Sequence, residues 1–360
     1  MFVLDSHCDT PTQLVRFRDN GIEYKKGHVD HLKLKKGGVD GSFFALYIPA
    51  SLAEDEAFTL YQKLHSSVKD YVTSHSDSLA FATSSEDALA NQAAGKTSIF
   101  LGLENASPLG RQLSRLDDFY NQGISYITLC HTANNEVCDS CATAEKRWKG
   151  LSPFGREVIA RMNELGILVD VSHISDEAFF DVLETSSAPV AATHSCCRAL
   201  SDHPRNMTDE MIMKLAEKGG VIQINFYPVF LDSSWGKRKE VAELMDKADL
   251  VEEEFKKDLT SSEKRQALYD VMDELCSLDR PGVKEVVDHI DHAVRLVGDD
   301  HVGLGSDFDG IAVPPKGLED VSMFSEVLDE MRKRGYSEAS IEKIAGKNFL
   351  RVLFQAKSYK

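Results

Sequence analysis

The sequence predicts a (β/α)8 barrel, also called a TIM barrel, and three observations support this prediction. Short apolar runs recur along the 360 residues, amphipathic helical patterns separate most of them, and the runs end in polar residues. Continuous apolar runs are typical of parallel strands that are buried on both faces. Strands that alternate with helices indicate a parallel α/β fold, and eight of them indicate a closed barrel.

The predicted strands number eight. Their ranges are 2–7, 41–48, 98–104, 124–131, 167–173, 189–194, 220–226 and 301–309. An open, doubly wound sheet is the alternative fold, and the number of strands favours the barrel.

Three segments between these strands have clear helical periodicity, at 55–75, 153–166 and 208–219. Gly166 and Gly219 stand where a helix should end before the next strand begins.

Two later segments extend the barrel. Residues 227–296 are charged and helix-rich and predict a helical insertion between the seventh and eighth strands, packed on the barrel as extra helices or as a lid. Residues 337–356 predict one or two closing helices, with Ser337 as a candidate cap for the first. We expect residues 1–360 to form a single catalytic domain.

Composition narrows the class of protein. The formal net charge of −17 at pH 7 argues against a nucleic-acid partner, because phosphate binding needs a basic patch. No apolar run approaches the roughly 18 residues of a membrane span, and the first residues do not have the pattern of a signal peptide. Seven cysteines at irregular spacing suggest reduced thiols. We therefore expect a cytoplasmic protein with no membrane partner.

Five residues at predicted strand ends have the chemistry of metal ligands. His7 and Asp9, two positions apart after the first strand, point to the same side. Glu104 ends the third strand in an apolar stretch, where a carboxylate needs either an ion pair or a metal. His173 and His194 end the fifth and sixth strands. Each residue alone is as easily structural, but in this fold all five would meet at the carboxyl ends of the strands.

Imidazole and carboxylate groups together suit Zn²⁺ or a similar divalent ion. Five ligands exceed the needs of one tetrahedral zinc ion and suit two ions roughly 3.5–4 Å apart that share a bridging carboxylate. The sequence therefore predicts a barrel of the metal-dependent hydrolase type with two Zn²⁺ ions, for which Co²⁺ or Mn²⁺ can substitute.

Three further residues are candidates for catalysis or substrate binding. His131 ends the fourth strand and can stabilise charge on a substrate oxygen, unless it only supports the ligands. Asp307 ends the eighth strand and can move a proton. Only one aspartate of this pair needs to be catalytic, so Asp309 is expected to be an outward-facing or turn residue. Arg205 can bind a substrate carboxylate, and its alternative is a surface ion pair.

Other candidates have simpler explanations. The CxxC motif at 138–141 has no second pair, so neither a structural zinc nor a redox role is expected. Cys196 and Cys197 are too close for an ordinary disulfide. His28 and His31 are expected to be loop histidines rather than ligands.

A series of short segments carries a family resemblance through its order and spacing. They are DSHCD, GHVDHLKLKKGGVDGSFFALYIP, GLEN, LCHTANN, LSPFG, VDVSHIS, PVAATHS with the downstream RN, GSDFDGI and GKNFLRVL. Over nearly its whole length the chain resembles the membrane (renal) dipeptidase family of metallopeptidases, family M19.

The resemblance implies two zinc sites. His7, Asp9 and Glu104 would hold one ion, and Glu104, His173 and His194 would hold the other, so that Glu104 bridges them.

The resemblance also implies a reaction. A metal-bridging hydroxide would hydrolyse dipeptides, with tolerance for a C-terminal D-residue left open. His131 would bind the carbonyl oxygen, Arg205 the C-terminal carboxylate, and Asp307 would transfer a proton. Homodimers are frequent in this family.

This sequence departs from the family in three respects. It shows neither the leader nor the lipid-anchor signal of the secreted mammalian relatives. The segment after Glu104 lacks glycines that relatives often have there, and the insertion at 227–296 leaves the substrate range open.

Two other functions remain open. The same site would also suit another small amide, an N-acyl amino acid or a lactone. A non-catalytic metal-binding barrel is the third hypothesis, and the complete set of candidate residues argues against it.

Overall fold

The computed structural model describes residues 1–22 and 25–358 and contains one parallel sheet. The strands within these residues are β1 (Leu4–Cys8), β2 (Gly41–Tyr47), β3 (Leu79–Phe81), β4 (Thr97–Glu104), β5 (Ile124–Thr128), β6 (Leu168–Asp170), β7 (Ala191–Ser195), β8 (Val221–Ile224) and β9 (Val302–Leu304). Their order is β1-β2-β4-β5-β6-β7-β8-β9, and β3 pairs with β4 outside this path.

Backbone hydrogen bonds between the two ends of this path complete a ring. The amide of Asp9 donates to the carbonyl of Phe308 at 2.8 Å, and the amide of Asp307 donates to the carbonyl of His7 at 3.0 Å. The eight-stranded barrel is therefore confirmed, and the open sheet is excluded. The sequence did not predict β3, because three residues are too few to establish a strand pattern.

Stacked aromatic side chains fill the amino-terminal end of the barrel. The ring of Phe43 lies 4.5 Å from that of Phe100 and 5.2 Å from that of Tyr126, measured between centroids. Phe349, from the last helix of the chain, packs edge-on against Phe43 at 5.1 Å. This end is a packed core, so the chemistry is confined to the opposite end.

Helices surround the barrel. Before the insertion they are α1 (Thr10–Arg16), α2 (His31–Lys36), α3 (Glu54–Ser74), α4 (Ser85–Ala93), α5 (Arg115–Asn121), α6 (Pro153–Leu165), α7 (Asp176–Thr185) and α8 (Asp209–Glu217). Between β8 and β9 lie α9 (Pro228–Leu231), α10 (Ser233–Gly236), α11 (Lys239–Lys257), α12 (Ser262–Ser277) and α13 (Val283–Val297). After β9 come α14 (Ser325–Lys333), α15 (Glu338–Glu342) and α16 (Asn348–Ser358). Short 3₁₀ or π turns occupy Arg18–Asn20, Ser107–Leu109, Asp299–His301, Val321–Met323 and Lys343–Lys347.

The predicted helix boundaries follow from local capping. The hydroxyl of Ser152 accepts the amide of Gly155 at the start of α6, and Gly166 ends that helix with a left-handed φ of 78°. Gly219, beyond α8, has the same φ of 78°. Both glycines therefore stand at the predicted helix ends.

The insertion is helical, as predicted, and α11 and α12 pair over a small core of their own that includes Trp235, Val271 and Leu275. A hydrogen-bonded ion pair of 2.7 Å joins Arg16 of α1 to Glu252 of α11. Among the described residues, none of the helices combines the length and apolar character that a membrane crossing requires.

Candidate metal centre and active site

The five predicted metal ligands converge at the carboxyl-terminal mouth of the barrel. His7 lies in β1, Glu104 ends β4 and His194 lies in β7, while Asp9 and His173 follow β1 and β6. His173 is partly buried and the other four are buried. Strand ends that are far apart in the sequence thus place five candidate ligands in one group.

Glu104 lies at the centre of this group, and its two carboxylate oxygens face different histidines. Oε1 lies 3.1 Å from Nε2 of His173 and 3.5 Å from Nε2 of His194. Oε2 lies 3.6 Å from Nε2 of His7, which is also 3.6 Å from Oδ2 of Asp9. One carboxylate therefore belongs to two sets of ligand atoms, as a carboxylate that bridges two ions does.

The spacing of these atoms fits a metal ion. Ligand atoms about 2.0–2.1 Å from a tetrahedral zinc ion are roughly 3.3 Å from one another. Nε2 of His173, Nε2 of His194 and Oε1 of Glu104 form a triangle with sides of 2.9, 3.1 and 3.5 Å. Ligand atoms of His131 and Asp307 also lie within 4.8 Å of members of the group, so distance alone does not separate them from the predicted ligands.

Two buried polar atoms of the group have no hydrogen-bond partner among the described residues, Nε2 of His7 and Oδ1 of Asp9. Leaving such an atom unpaired costs roughly 1–3 kcal/mol, and folded proteins normally satisfy it. A cation bound by both side chains would remove this cost, so the donor set fits a divalent metal.

Hydrogen bonds behind the ligands orient two of the rings. Nδ1 of His7 lies 2.8 Å from the hydroxyl of Tyr126, and Nδ1 of His194 lies 2.8 Å from the hydroxyl of Thr193. The hydroxyl of Thr193 donates its hydrogen bond to Asp170 at 2.7 Å, so its oxygen accepts a hydrogen bond from the protonated Nδ1 of His194. Nε2 of His194 is then left with a free lone pair, as metal coordination requires.

Burial and charge set the protonation of the group. Burial, together with the positive charge of Arg205, lowers the pKa of His173, and burial with the charge of His7 lowers the pKa of His194. Burial also opposes protonation of His7, but the carboxylates of Glu104 and Asp9 outweigh it and raise the pKa of His7. Burial and Glu104 raise the pKa of Asp9 to about 7. The two carboxylates thus concentrate negative charge that a cation would neutralise.

His131 lies at the open edge of the group. Its Nε2 is 3.7 Å from Oε1 of Glu104, and 17% of its side chain is exposed. Its ring packs edge-on against Tyr47 with centroids 4.8 Å apart. Burial, with the charges of Arg205 and His7, lowers the pKa of His131 to about 3. The neutral ring can therefore donate one hydrogen bond to an oxygen in the cavity.

Arg205 is buried beside the same centre. Nη1 donates to the hydroxyl of Ser195 at 2.9 Å, and Nη2 donates to the carbonyl of His194 at 2.8 Å. The guanidinium lies 5.6 Å from the ring centroid of Phe230, and its Nε has no hydrogen-bond partner among the described residues. Only 6% of Arg205 is exposed, so the alternative of a surface ion pair is wrong.

Asp307 and Asp9 approach each other next to a glycine. Oδ2 of Asp307 accepts a hydrogen bond of 2.8 Å from Asn225. A Cβ atom on Gly310 would lie 2.0 Å from Oδ2 of Asp9 and 2.7 Å from Oδ1 of Asp307, so a larger residue would displace both carboxylates. Burial raises the pKa of Asp307 to about 6, with His7 opposing the shift and Asp9 adding to it.

Asp309 is a turn residue, but it does not face outward. Its carboxylate accepts the amide of His28 at 2.7 Å and the hydroxyl of Thr10 at 2.8 Å. Its own amide donates to Nδ1 of His28 at 3.0 Å. The φ angles of Asp307 and Asp309 are 63° and 67°, so the alternation of side chains along an extended strand does not apply there. His28 is a loop histidine, as predicted, and it is buried, whereas His31 is the first residue of α2 and not a loop residue.

The seven cysteines are free thiols. Within the described part of the chain, no cysteine of the CxxC motif at 138–141 belongs to a close group of three possible ligands. The thiols of Cys196 and Cys197 donate to the carbonyls of Asn225 and His289 at 3.2 and 3.5 Å, and neither forms a disulfide, as predicted.

A cavity of about 480 Å³ opens beside the metal centre, which is a typical volume for a small-molecule site. Its floor contains Asp9, Glu104, His131, His173 and Asp307. Arg205 lies on one side of it, and side chains of α11 and α12 form part of its wall. Candidate metal ligands, candidate catalytic groups and a candidate anion-binding group thus share one cavity.

Sequence reasoning did not identify three residues that support the site. Asn225 directly follows β8, and the rule that found the other strand-end residues would have found it. Asp170 is a buried carboxylate within a predicted strand, which is itself a signal of a specific partner. Tyr126 has no such signal, because an aromatic residue in a strand is typical of any core.

Comparisons with known proteins identify similar sequences and similar structures. Residues 1–360 match the sequence profile described as membrane dipeptidase (peptidase family M19). The chain is 32% identical over 337 residues to the dipeptidase tcpJ of Claviceps purpurea. The aligned region covers 91% of this chain and 69% of that protein. It is 31% identical over 377 residues to an uncharacterized dipeptidase of Schizosaccharomyces pombe, with 97% and 80% covered.

Two solved structures have the same fold over the whole chain. The probable dipeptidase PvdM from Pseudomonas aeruginosa superposes with a TM-score of 0.84 at 29% identity, covering 100% of this chain and 96% of that one. The dipeptidase AC, described as a metallopeptidase of family M19, superposes with a TM-score of 0.80 at 25% identity, covering 99% and 98%.

Proposed function

This chain belongs to the membrane dipeptidase family, peptidase family M19, and from that premise we propose that it hydrolyses dipeptides with two zinc ions as cofactors. The observation that carries the proposal is the position of Glu104, whose two oxygens face separate histidines at 3.1 and 3.6 Å. A carboxylate in this position suits two ions rather than one.

The residues of the metal centre divide into two overlapping sets. His7, Asp9 and Glu104 would hold one ion, and Glu104, His173 and His194 would hold the other. When bound, the two divalent cations would lower the pKa of a water molecule in the site towards neutrality and so make it a better nucleophile. Imidazole and carboxylate ligands favour Zn²⁺, with Co²⁺ or Mn²⁺ as substitutes.

Arg205 would bind the C-terminal carboxylate of the substrate. A guanidinium matches the two oxygens of a carboxylate with parallel hydrogen bonds. Since Arg205 is buried against Ser195 and Phe230, a longer peptide would have to continue through packed side chains. Arg205 would therefore restrict the enzyme to dipeptides.

His131 would hold the carbonyl oxygen of the peptide bond. During attack on the carbonyl carbon this oxygen becomes negative, and a positioned hydrogen-bond donor stabilises the charge. The ring of His131 lies at the edge of the cavity beside Glu104, where the carbonyl group would be close to the metal centre.

Asp307 would move the proton. It would take a proton from the attacking water and give it to the amine nitrogen as the carbon–nitrogen bond breaks. Asn225 fixes the carboxylate by donating to Oδ2 at 2.8 Å, and Oδ1 is on the side of Gly310 and Asp9.

A substrate panel with measured metal content tests the proposal. Zinc-loaded protein would be assayed on L-Ala-L-Ala, L-Ala-D-Ala, the tripeptide Ala-Ala-Ala, an N-acetyl amino acid and a lactone. We expect about two zinc ions per chain and hydrolysis of L-Ala-L-Ala at least about a hundredfold faster than of the tripeptide. The L-Ala-D-Ala arm determines whether a C-terminal D-residue is accepted.

The other outcomes separate the alternatives. Equal rates for dipeptide and tripeptide would remove the role of Arg205. Hydrolysis of only the N-acetyl amino acid or the lactone would identify a different hydrolase. Stoichiometric zinc without turnover of any substrate would indicate a metal-binding protein that is not an enzyme.

A further inference from the structure

The cavity continues past the metal centre to an apolar wall formed largely by the insertion. This wall comprises Met245 and Ala248 of α11, Leu268 and Met272 of α12, and Phe17 at the end of α1. Leu268, Met245 and Met272 are only partly buried, so the apolar surface that they present to the cavity is not covered by the protein itself. Such a surface indicates an apolar ligand group.

Contacts with α1 hold this wall over the cavity. Arg16 and Glu252 form an ion pair of 2.7 Å, and the ring of Phe17 stacks on Phe255 with centroids 5.6 Å apart. Lys26 also pairs with Asp273 of α12. The wall is thus attached to the barrel beside Asp9, the residue that precedes α1.

The strand order determines which part of a dipeptide would face this wall. Arg205 follows β7 and α1 follows β1, and these strands are three places apart around the ring. With the C-terminal carboxylate on Arg205 and the peptide bond at Glu104 and His131, the N-terminal residue would extend away from Arg205. It would therefore lie against α1, α11 and α12.

We propose that this apolar wall is the binding subsite for the N-terminal side chain and that it selects large apolar residues such as Phe, Leu and Met. The inference rests on the proposed dipeptidase function and deepens it by naming the substrate class. Burial of an apolar side chain stabilises a complex in proportion to the area removed from water. The flexible side chains of Met245 and Met272 can adapt to different apolar shapes.

Charged residues at the rim suggest a rival preference that can be tested. Glu252 pairs with Arg16 at 2.7 Å, and Lys256 pairs with Glu253 at 2.7 Å, so these charges compensate one another. Asp249 also borders the cavity, is exposed, and forms no ion pair with a described residue. If Asp249 determined specificity, the enzyme would prefer dipeptides with a cationic N-terminal side chain. The apolar wall predicts instead that dipeptides with a large apolar N-terminal side chain are preferred.

The test compares kcat/KM for Phe-Ala, Leu-Ala, Ala-Ala, Lys-Ala and Ala-Phe with zinc-loaded full-length protein. We expect Phe-Ala and Leu-Ala to exceed Ala-Ala and Lys-Ala by about tenfold or more, and Phe-Ala to exceed Ala-Phe. The variant Met272→Asp should reduce the ratio of Phe-Ala to Ala-Ala by about tenfold. Leu268→Asp is a second variant of the same wall, should one of them fail to fold.

Leu250→Asp is the matched control, because Leu250 lies on α11, is 71% exposed and does not line the cavity. This variant should keep the wild-type ratio of kcat/KM for Phe-Ala to kcat/KM for Ala-Ala. Equal rates for Phe-Ala and Ala-Ala, a preference for Lys-Ala, or wall variants with the wild-type ratio would overturn the subsite while leaving the dipeptidase function intact. If no dipeptide is hydrolysed at full zinc content, it is the proposed function that fails.

Discussion

Nε2 of His173 lies 2.9 Å from Nε2 of His194, and both nitrogens face Oε1 of Glu104. The hydrogen bonds of Thr193 leave Nε2 of His194 unprotonated, and burial keeps both rings neutral. Two nitrogens of one ligand set thus converge on a small space that is also bordered by the carboxylate of Glu104. An arrangement of this kind is stabilised when a cation occupies it.

Removal of metal should therefore abolish dipeptide hydrolysis and lower the melting temperature. A ligand that binds only the folded state stabilises it by about 2.7 kcal/mol at a free concentration 100-fold above its Kd. The measurement is thermal unfolding and activity before chelation, after chelation, and after zinc is added back. Full activity in protein shown by mass spectrometry to contain no metal would refute the metal centre.

Glu104→Gln should lower the zinc content and reduce kcat by at least about a hundredfold. The amide keeps the size of the side chain but removes the negative charge that both ligand sets share. Zinc per chain and kcat would be measured together. The control Glu217→Gln, at an exposed residue of α8, should retain two zinc ions, and the same content in Glu104→Gln would exclude a bridging role.

Tyr126→Phe should weaken zinc binding by about 10- to 100-fold, the usual effect of losing a hydrogen bond behind a metal ligand. The hydroxyl of Tyr126 contacts Nδ1 of His7 at 2.8 Å, and phenylalanine keeps the ring that packs on Phe43. Zinc affinity would be measured by competition with a chelator. Tyr61→Phe is the control, because that hydroxyl contacts Gln122 at 3.1 Å, away from the centre. A similar loss of zinc affinity in both variants would show that removing any buried tyrosine hydroxyl has this effect, and that the contact with His7 is not its cause.

Arg205→Lys should reduce kcat/KM for Ala-Ala by about tenfold or more, mainly through KM, because lysine cannot form two parallel hydrogen bonds to a carboxylate. Steady-state kinetics provides the measurement. Arg198 offers a matched control, since its guanidinium pairs with Asp176 at 2.6 and 2.7 Å outside the cavity. We expect Arg198→Lys to keep the wild-type KM, and unchanged kinetics in Arg205→Lys would contradict the substrate role of Arg205.

The sequence predicted the barrel and the meeting of the candidate ligands because both depend on a simple rule. Apolar runs mark strands that are buried on both faces, and the ends of parallel strands meet at one edge. Glu104 and His194 therefore had to be close once their strands were recognised, whatever the length of chain between them. The roles of these residues do not follow from position alone and stay predictions.

Other features depend on contacts that no local pattern encodes. Tyr126 and His7 are 119 positions apart, and the curvature of the barrel brings the hydroxyl of one to the ring of the other. The periodicity of the insertion predicts helices, but not that Met245 and Met272 face the cavity. Asp309 turns inward because its backbone has a left-handed conformation, which an extended strand pattern does not anticipate.

Gly310→Ala should reduce activity much more than stability. The new Cβ atom would lie 2.0 Å from Oδ2 of Asp9 and 2.7 Å from Oδ1 of Asp307, so these carboxylates must move. The ends of side chains can rotate at a small cost in folding free energy, whereas a catalytic group displaced by about 1 Å can lose roughly a hundredfold in rate. Thermal unfolding and kcat for Ala-Ala measure the two effects separately. A variant with wild-type kcat would mean that the close approach of Asp9 and Asp307 is not needed for catalysis.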